Sequence, residues 1–344
     1  NNRLKDIVDG TAVLEVGGQK IGLISALATD TPETASPSKS VIFQDEIEAL
    51  TADAEALKAE GVDKVLALTH VGYLKDQDIA AKVPGVDAVI GGHSHTLLGD
   101  MEGALGKYPT LVKNADGTEV PVVTAYAYSK YLGHLVLTFD DAGKRVKAHG
   151  QPILLDASVT PDATITARIK ELAAPLEELK NKSVAETKTE IGAARADCRA
   201  RECVMGSLVA DAMLARVKEQ GVQIAIQNGG GLRASIDAGP ISMGEIISVL
   251  PFQNTLATFQ LKGADVVAAL ENGASQMEEG AGRFAQVAGL KYTVDPSAPA
   301  GKRISDVQVL KDGSWQPIDL VANYGEASNN YVRNGGDGYA VFEA

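Results

Sequence analysis

Cysteine and aromatic residues are scarce in this 344-residue chain, and no hydrophobic run approaches the length of a membrane span. A transmembrane helix needs at least ~18 consecutive apolar residues, so we expect no span. Hydrophobic residues make up 45% of the chain and charged residues 22%. These fractions exclude a disordered tail, a coiled coil and a collagen-like chain. The chain has no initiator Met and no charged-then-apolar leader, so we expect a processed mature chain or a fragment.

Basic residues are also fewer than acidic residues. The 32 Lys and Arg residues face 45 Asp and Glu residues, which gives a formal net charge of −13. Most of such a surface repels a nucleic-acid backbone, so we expect no nucleic-acid partner. A phosphate site in this chain must be a local concentration of arginine.

The two cysteines, Cys198 and Cys203, are five positions apart. This spacing is compatible with one short disulfide in an oxidising compartment, and also with two thiols in a reducing one. The residues alone leave both possibilities open.

The first part of the chain has the periodicity of alternating strands and helices. Strands are predicted at 11–25 around a Gly17-Gly18 turn, 64–68, 86–90, 119–127 and 133–139, and helices at 45–60 and 76–82. A strand–helix–strand order is typical of a parallel sheet with covered faces.

The second part has a similar mixture, after a helical pattern at 163–179 with Ile165, Ile169, Leu172 and Leu176 on one face. Helices are predicted at 202–218, after Ser242 and at 264–277, and strands at 222–226, 255–261, 287–293 and 304–310. At ~150 residues per domain the length predicts about two domains. We place them at 1–155 and 186–344, joined by a linker and connecting helix at 156–185.

Three of the five histidines follow predicted parallel strands. His70 ends one strand, and His93 and His95 follow Gly91-Gly92 after the next. The carboxyl edge of an open α/β sheet is where ligands usually bind, and neutral imidazole is a common ligand of zinc. We therefore expect these three side chains to converge at this edge. His134, inside a strand, and His149, in a turn, are expected to be structural.

Arginines and glycine-rich loops mark the second part of the chain. Arg195, Arg199 and Arg201 precede a helix, and Arg233 follows the loop Gly229-Gly230-Gly231. Helix N-termini and glycine loops present N–H groups to anions, and Arg adds bidentate contacts to phosphate. A solvated basic surface is the alternative interpretation. Phe252 and Tyr331 are rings near these loops, either packing on the core or stacking on a base.

Ordered motifs across the chain resemble the 5′-nucleotidases, which include bacterial periplasmic enzymes and the animal ecto-5′-nucleotidase that converts AMP to adenosine. The motifs are LTHVG at 68–72, GGHSH at 91–95, KYLGH at 130–134, CRAREC at 198–203, NGGGLR at 228–233, LPF at 250–252 and NGGDG at 334–338. The resemblance implies an α/β fold. It consists of a partial metallophosphoesterase domain (a layered α/β sandwich), a connecting helix and a C-terminal α+β substrate domain.

The resemblance also implies roles for individual residues. His70 and His93 resemble ligands of one metal of a two-metal site and His95 a ligand of the other, with zinc expected and manganese or cobalt as alternatives. Arg199, Asn228 and Arg233 resemble contacts to phosphate and ribose, Phe252 and Tyr331 the rings that sandwich the base, and Asp337 the acceptor of a ribose hydroxyl. Cys198 and Cys203 match a local disulfide of the animal enzyme, and the family implies a periplasmic or secreted protein.

One departure concerns the family's opening motifs. Neither the Asp-x-His segment nor the Asn-His-Glu/Asp segment occurs in this sequence. We therefore expect the remaining metal ligands and the catalytic residues to lie in a missing N-terminal segment, and this chain alone to be inactive. The expected activity of the intact protein is metal-dependent hydrolysis of AMP. The alternatives are a catalytically incomplete nucleotide-binding module, or a phosphoesterase acting on UDP-sugars, cyclic nucleotides, NAD or a thiosulfate ester.

Overall fold

The computed structural model describes residues 9–35, 37 and 40–343. The chain divides into two compact units, Asn1–Pro32 with Ser36–Pro161, and Glu33–Ala35 with Asp162–Ala344. The break at Pro161 lies inside the linker predicted at 156–185. None of the described helices is both long and apolar enough to span a bilayer.

Helices and strands alternate through the first part of the described chain. They are β1 Thr11–Val16, β2 Gln19–Leu27, α1 Thr31–Thr34, α2 Glu46–Ala59, β3 Val65–His70, α3 Tyr73–Lys82, β4 Ala88–Ile90, β5 Thr110–Lys113, β6 Glu119–Val123, β7 Tyr131–Phe139 and β8 Arg145–Leu154.

Unit 1 is built on a six-stranded sheet of order β1-β2-β3-β4-β6-β5. The strands β2, β3, β4 and β6 run parallel, as the strand–helix rhythm predicts. The hairpin β1–β2 turns at Gly17 and Gly18, whose φ angles of +58° and +77° favour glycine. A separate hairpin pairs β7 with β8. His149 lies in β8 opposite Val136, so the prediction of a turn at His149 is wrong.

The core of unit 1 lies on one face of this sheet. Ile24 and Ala67 point to that face and pack with Leu50 of α2 and Ile79 of α3. Asp45 begins α2 as an N-cap, because its carboxylate accepts the N–H groups of residues 47 and 48. On the opposite face Leu68 of β3 is 53% exposed, whereas consecutive residues of β4 and β6 are buried on both faces. Among the described residues, the expectation of two covered faces therefore holds for β4 and β6 and is wrong for β2 and β3, since α2 and α3 both pack on the same side.

The described elements of the second part are more varied. They are α4 Ala163–Ala173, α5 Glu177–Asn181, β9 Ser183–Thr187, α6 Arg195–Cys198, α7 Val204–Val217, β10 Ile224–Asn228, β11 Gly239–Ser242, α8 Met243–Val249, β12 Leu256–Lys262, α9 Gly263–Ala274, β13 Ala285–Ala288, β14 Leu290–Val294, β15 Ile304–Lys311, β16 Ser314–Pro317, β17 Asn323–Asn329 and α10 Asn330–Arg333.

A four-stranded sheet of order β12-β17-β10-β13 forms the centre of unit 2. Ile224 and Ile226 of β10 face α9, where they pack with Leu270. Ala225 faces the opposite way and packs with Ala210 of α7. The sheet is therefore sandwiched between two helices, and every residue of β10 is buried.

The predicted connecting helix is two helices. Its first part, α4, ends at Ala173, and Pro175 lies in a single 3₁₀ turn before α5 begins. Proline lacks the N–H that a continuous helix needs and clashes with the preceding turn, which explains the break. The apolar residues on α4 are exposed, Ile165 by 62%.

Candidate functional site

Histidines meet at the carboxyl edge of the sheet in unit 1. His70 is the last residue of β3, and its ring centroid lies 5.2 Å from that of His93, edge to face. His95 packs against the ring of Tyr128 at 5.3 Å. His93 and His95 have left-handed backbones, with φ of +75° and +55°. The strand-end pattern therefore located the approach of His70 to His93 correctly.

Two carboxylates lie near this histidine pair. Asp30 Oδ2 is 3.8 Å from His93 Nε2. The pKa of His70 is lowered, chiefly by burial and then by the charge of His93, while Asp30 opposes the shift. Asp76 is fully buried beneath the histidine loop, and its Oδ1 accepts the Thr69 hydroxyl at 2.6 Å. Burial raises the pKa of Asp76 to about 6.

Glycine at position 91 is required by this packing. A Cβ there would lie 1.9 Å from Asp76 Oδ2, so any larger residue would displace the buried carboxyl. Asp76 thus fixes the path of the backbone that leads into His93. No signal in the sequence predicts this role, because Asp76 has only the pattern of a helical residue.

The histidine cluster does not by itself form a metal site. Imidazole suits zinc as a ligand, but no group of three or more His, Cys, Asp or Glu side chains among the described residues is placed to hold a metal ion. The described residues therefore do not by themselves form a complete two-metal centre.

A short disulfide loop in unit 2 carries the first of the candidate phosphate ligands. Cys198 and Cys203 are bonded, which confirms the predicted bridge. The buried amide of Gln286 holds the loop from inside: it donates to the carbonyls of Cys198 and Arg201 and accepts the N–H of Cys203. Arg199, between the cysteines, is 8% exposed and donates to the carbonyl of Gly280 at 3.0 Å.

The other two arginines of this segment differ in position. Arg195 also approaches the carbonyl of Gly280, at 3.5 Å. Arg201 is 70% exposed and pairs with Asp197. The predicted cluster is therefore divided, with Arg195 and Arg199 together and Arg201 on the surface.

We expect removal of the disulfide to destabilise unit 2. A bridge closing so short a loop contributes about 2 kcal/mol, and the double variant Cys198→Ser/Cys203→Ser should lose that amount in urea unfolding. The single tryptophan, Trp315, lies in unit 2 and supplies the fluorescence signal. An unchanged unfolding midpoint would mean that the Gln286 contacts alone hold the loop.

Asp337 lies at the centre of a buried polar cluster in unit 2. Its Oδ2 accepts the amide of Asn228 at 2.6 Å, and its Oδ1 accepts the hydroxyl of Tyr331 at 2.9 Å. Asp337 has a φ of +56° and is 7% exposed. Burial raises the pKa of its carboxyl, while the bonds from Asn228 and Tyr331 and the charges of Arg283 and Arg199 oppose the rise.

Tyr331 is held at both its hydroxyl and its ring. The hydroxyl also lies 2.5 Å from the carbonyl of Glu33, and it accepts the N–H of Asp337 at 3.0 Å. Gly336 packs against the Cε2–Cζ side of the ring, where a Cβ would come within 2.5 Å. The side chain is therefore a fixed, half-buried ring with one side already occupied.

Arg233 and Phe252 form a more exposed pair. The guanidinium carbon of Arg233 lies 5.6 Å from the centre of the Phe252 ring, and Arg233 donates to the carbonyl of Gly230 at 3.3 Å. Phe252 is 56% exposed, so it is not a core residue. A mainly apolar cavity of about 620 Å³ opens beside Phe252, lined also by Met205, Ile246 and Leu250.

Two amides in this region were not predicted from the sequence. Gln227 and Asn329 are both buried and hydrogen-bond to Asn228. Asn329 ends β17, which was not predicted as a strand. The one signal in the sequence was the position of Gln227, between the predicted strand at 222–226 and the Asn-Gly-Gly-Gly turn.

Comparisons with known proteins point to the same family that the sequence motifs resemble. Residues 183–344 match the family described as 5′-nucleotidase, C-terminal domain. The crystal structure of a 5′-nucleotidase precursor from Thermus thermophilus superposes with a TM-score of 0.96 at 42% identity, over 99% of this chain and 68% of that one.

Two curated relatives match almost the whole chain. Human 5′-nucleotidase is 37% identical over 350 residues, and snake venom 5′-nucleotidase of Naja atra is 36% identical over 351. Each alignment covers 96% of this chain, but only 61% of the human protein and 66% of the cobra protein. The chain therefore spans less than two thirds of these relatives' length.

Proposed function

Because the chain belongs to the 5′-nucleotidase family, we propose that the intact protein hydrolyses nucleoside 5′-monophosphates, AMP to adenosine and phosphate, in a metal-dependent reaction. The observation that carries the proposal is the buried Asp337 carboxylate, which Asn228 and Tyr331 hold from two sides in unit 2. A fixed anionic acceptor beside a ring suits the hydroxyls and base of a nucleoside.

Each candidate residue has a part in this proposal. Arg199 and Arg233 bind the phosphate, because guanidinium groups make bidentate contacts to phosphate oxygens. Asn228 contacts the phosphate and ribose, and Asp337 accepts a hydrogen bond from a ribose hydroxyl. Phe252 and Tyr331 contact the base. These contacts bind the substrate away from the reacting phosphorus, and such binding energy can be used to orient it.

The metal-dependent part of the proposal concerns His70, His93 and His95. We propose that they supply imidazole ligands to a site for two divalent ions, zinc first and manganese or cobalt as alternatives. Such ions polarise the phosphoryl group and lower the pKa of a bound water. The described residues alone do not complete this site, and the carboxylate ligands are expected from a segment that this sequence does not contain.

A periplasmic or secreted location is part of the same proposal. The Cys198–Cys203 disulfide supports it, because such bonds persist in oxidising compartments. The relative from snake venom supports it as well.

The activity is tested by assaying phosphate release from AMP by the full gene product and by the 344-residue chain, each with Zn²⁺, Mn²⁺ or Co²⁺. We expect metal-dependent release by the full product alone. Full-rate hydrolysis by the short chain would contradict our placement of the metal ligands.

A catalytically incomplete nucleotide-binding module is the second candidate. The absence of a three-ligand group among the described residues favours it. Calorimetric binding of AMP by a full product that releases no phosphate with any of the three metals would establish this candidate instead.

We expect the variant Phe252→Ala to weaken adenosine binding by about tenfold. Stacking of a base on an aromatic ring contributes about 1–3 kcal/mol, and Phe252 is exposed enough to meet a base. Titration calorimetry measures the change.

Trp315→Ala provides the matched control for this variant. Trp315 is another exposed ring of unit 2 under a cation, with Lys291 Nζ 4.8 Å from its centroid. Equal affinities for wild type and Phe252→Ala would exclude Phe252 from the base site.

A further inference from the structure

Asn329 joins three parts of the candidate nucleoside site. It is the last residue of β17 and 6% exposed. Its Nδ2 donates to Asn228 Oδ1 at 3.0 Å and to Gln227 Oε1 at 3.1 Å. Its Oδ1 accepts the N–H of Val332 at 2.9 Å. Every polar atom of this side chain thus has a defined partner.

These bonds fix the orientation of the Asn228 amide. Asn228 Oδ1 accepts from two amide groups, those of Gln227 and Asn329, both at 3.0 Å. The Nδ2 of Asn228 must therefore point the other way, where it donates to Asp337 Oδ2. A flipped amide would bring its NH₂ group against two other NH₂ groups and leave buried donors unsatisfied, which is costly.

Asn329 also acts on Asp337 indirectly, through helix α10. The side-chain oxygen Oδ1 of Asn329 caps α10, the helix that carries Tyr331. The hydroxyl of Tyr331 in turn donates to Asp337 Oδ1. The buried side chain of Asn329 thereby orients both Asn228 and Tyr331, whose side chains donate to the Asp337 carboxylate. Asp337 is in turn the group that would meet the ribose.

We propose that Asn329, with Gln227 as its partner, is a positioning residue that orients Asn228 and Asp337 for nucleoside binding. The proposal rests on the proposed function, because it assigns the two oriented groups to a nucleoside. It adds a role for two buried residues that act through Asn228 and Asp337.

The variant Asn329→Asp separates positioning from helix capping. Aspartate still accepts the N–H of Val332 and caps α10. It loses the NH₂ group and places an oxygen opposite Asn228 Oδ1. If capping were the only role of Asn329, this variant would bind nucleosides like wild type.

Ser328→Ala is the matched control for a structural defect. Ser328 is the neighbouring residue of β17, is fully buried and donates to the carbonyl of Ile226 at 2.8 Å. This variant also loses a buried hydrogen bond of the same strand, but that bond does not involve Asn228.

Adenosine binding, measured by titration calorimetry, is the first readout. We expect Asn329→Asp to weaken it by about tenfold or more, as for a lost bond in a buried network, and Ser328→Ala to leave it nearly unchanged. In an Asn228→Ala background, Asn329→Asp should have little further effect, because Asn329 acts through Asn228. Unchanged binding in Asn329→Asp, or an equal loss in the Asn228→Ala background, would overturn the proposal.

The side-chain amide signals of Asn228 in ¹⁵N NMR are the second readout, and they need no nucleoside. We expect protected NH₂ protons in wild type and in Ser328→Ala, and faster exchange in Asn329→Asp. Identical exchange in all three would overturn the proposal. A wild-type chain that binds neither adenosine nor AMP would refute the proposed function, and the NMR result would still decide whether Asn329 orients Asn228.

Discussion

Replacing Glu326 by methionine should stabilise unit 2 by about 1–3 kcal/mol at neutral pH, the usual cost of an unsatisfied buried polar group. Glu326 lies in the middle of β17 and is fully buried. Neither of its carboxyl oxygens has a hydrogen-bond partner among the described residues. Methionine is similar in length and shape and buries no charge. Urea unfolding followed by Trp315 fluorescence measures the gain.

The effect of Glu326 on stability should depend on pH. Burial raises the pKa of Glu326 well above its ordinary value, so the folded chain keeps a proton that the unfolded chain releases. This proton favours folding fully below the unfolded pKa of about 4.5 and progressively less as the pH rises toward the folded pKa. The advantage of the methionine variant should therefore increase as the pH rises from about 4.5 toward the raised pKa of the folded chain.

Glu326→Gln is the control for this pH dependence. Glutamine keeps a polar group without a partner in the same place, but it does not titrate. Its stability relative to Glu326→Met should be independent of pH. A wild-type chain that matches the methionine variant at every pH would mean that the carboxyl finds a partner in solution.

We expect Asp337→Gly to weaken adenosine binding by about 10- to 100-fold. A hydrogen bond to a charged group contributes about 1.5–3 kcal/mol, and this variant also frees the Asn228 and Tyr331 donors. Glycine accepts the positive φ of this position, so the backbone is retained. Calorimetry at neutral pH measures the change.

Asp312→Gly is the matched control. Asp312 is an exposed aspartate of the same unit with a φ of +49°, outside the polar cluster. Equal loss of affinity in both variants would point to a backbone effect. The raised pKa of Asp337 adds a second expectation, that wild-type affinity falls on acidification at a higher pH than an ordinary aspartate would give.

Local chain chemistry accounts for what the sequence could predict. His70 and His93 follow short buried strands, and parallel strands bring their carboxyl ends to one edge, so their approach was predictable. The disulfide followed from the family motif around Cys198. Sequence periodicity also located α2 and α7 within a few residues.

The features that escaped prediction depend on tertiary contacts. β17 has Glu326 at its centre and Asn329 at its end, so it lacks the apolar alternation of a predicted strand. His149 lies close to glycine and proline, which favour turns, yet cross-strand pairing makes it part of β8. The hydroxyl of Tyr331 finds Asp337 only when α10 folds over the NGGDG loop.

The left-handed backbones of His93, His95 and Asp337 have a consequence for evolution in the laboratory. A non-glycine residue in this conformation costs about 1–2 kcal/mol. Selection of this chain for heat resistance alone should therefore enrich glycine at His93 and His95, whereas glycine at Asp337 would leave the buried donors of Asn228 and Tyr331 without an acceptor. Each such substitution would remove a candidate ligand, so selection for heat resistance and selection for the activity proposed for the intact protein should favour different residues at these sites.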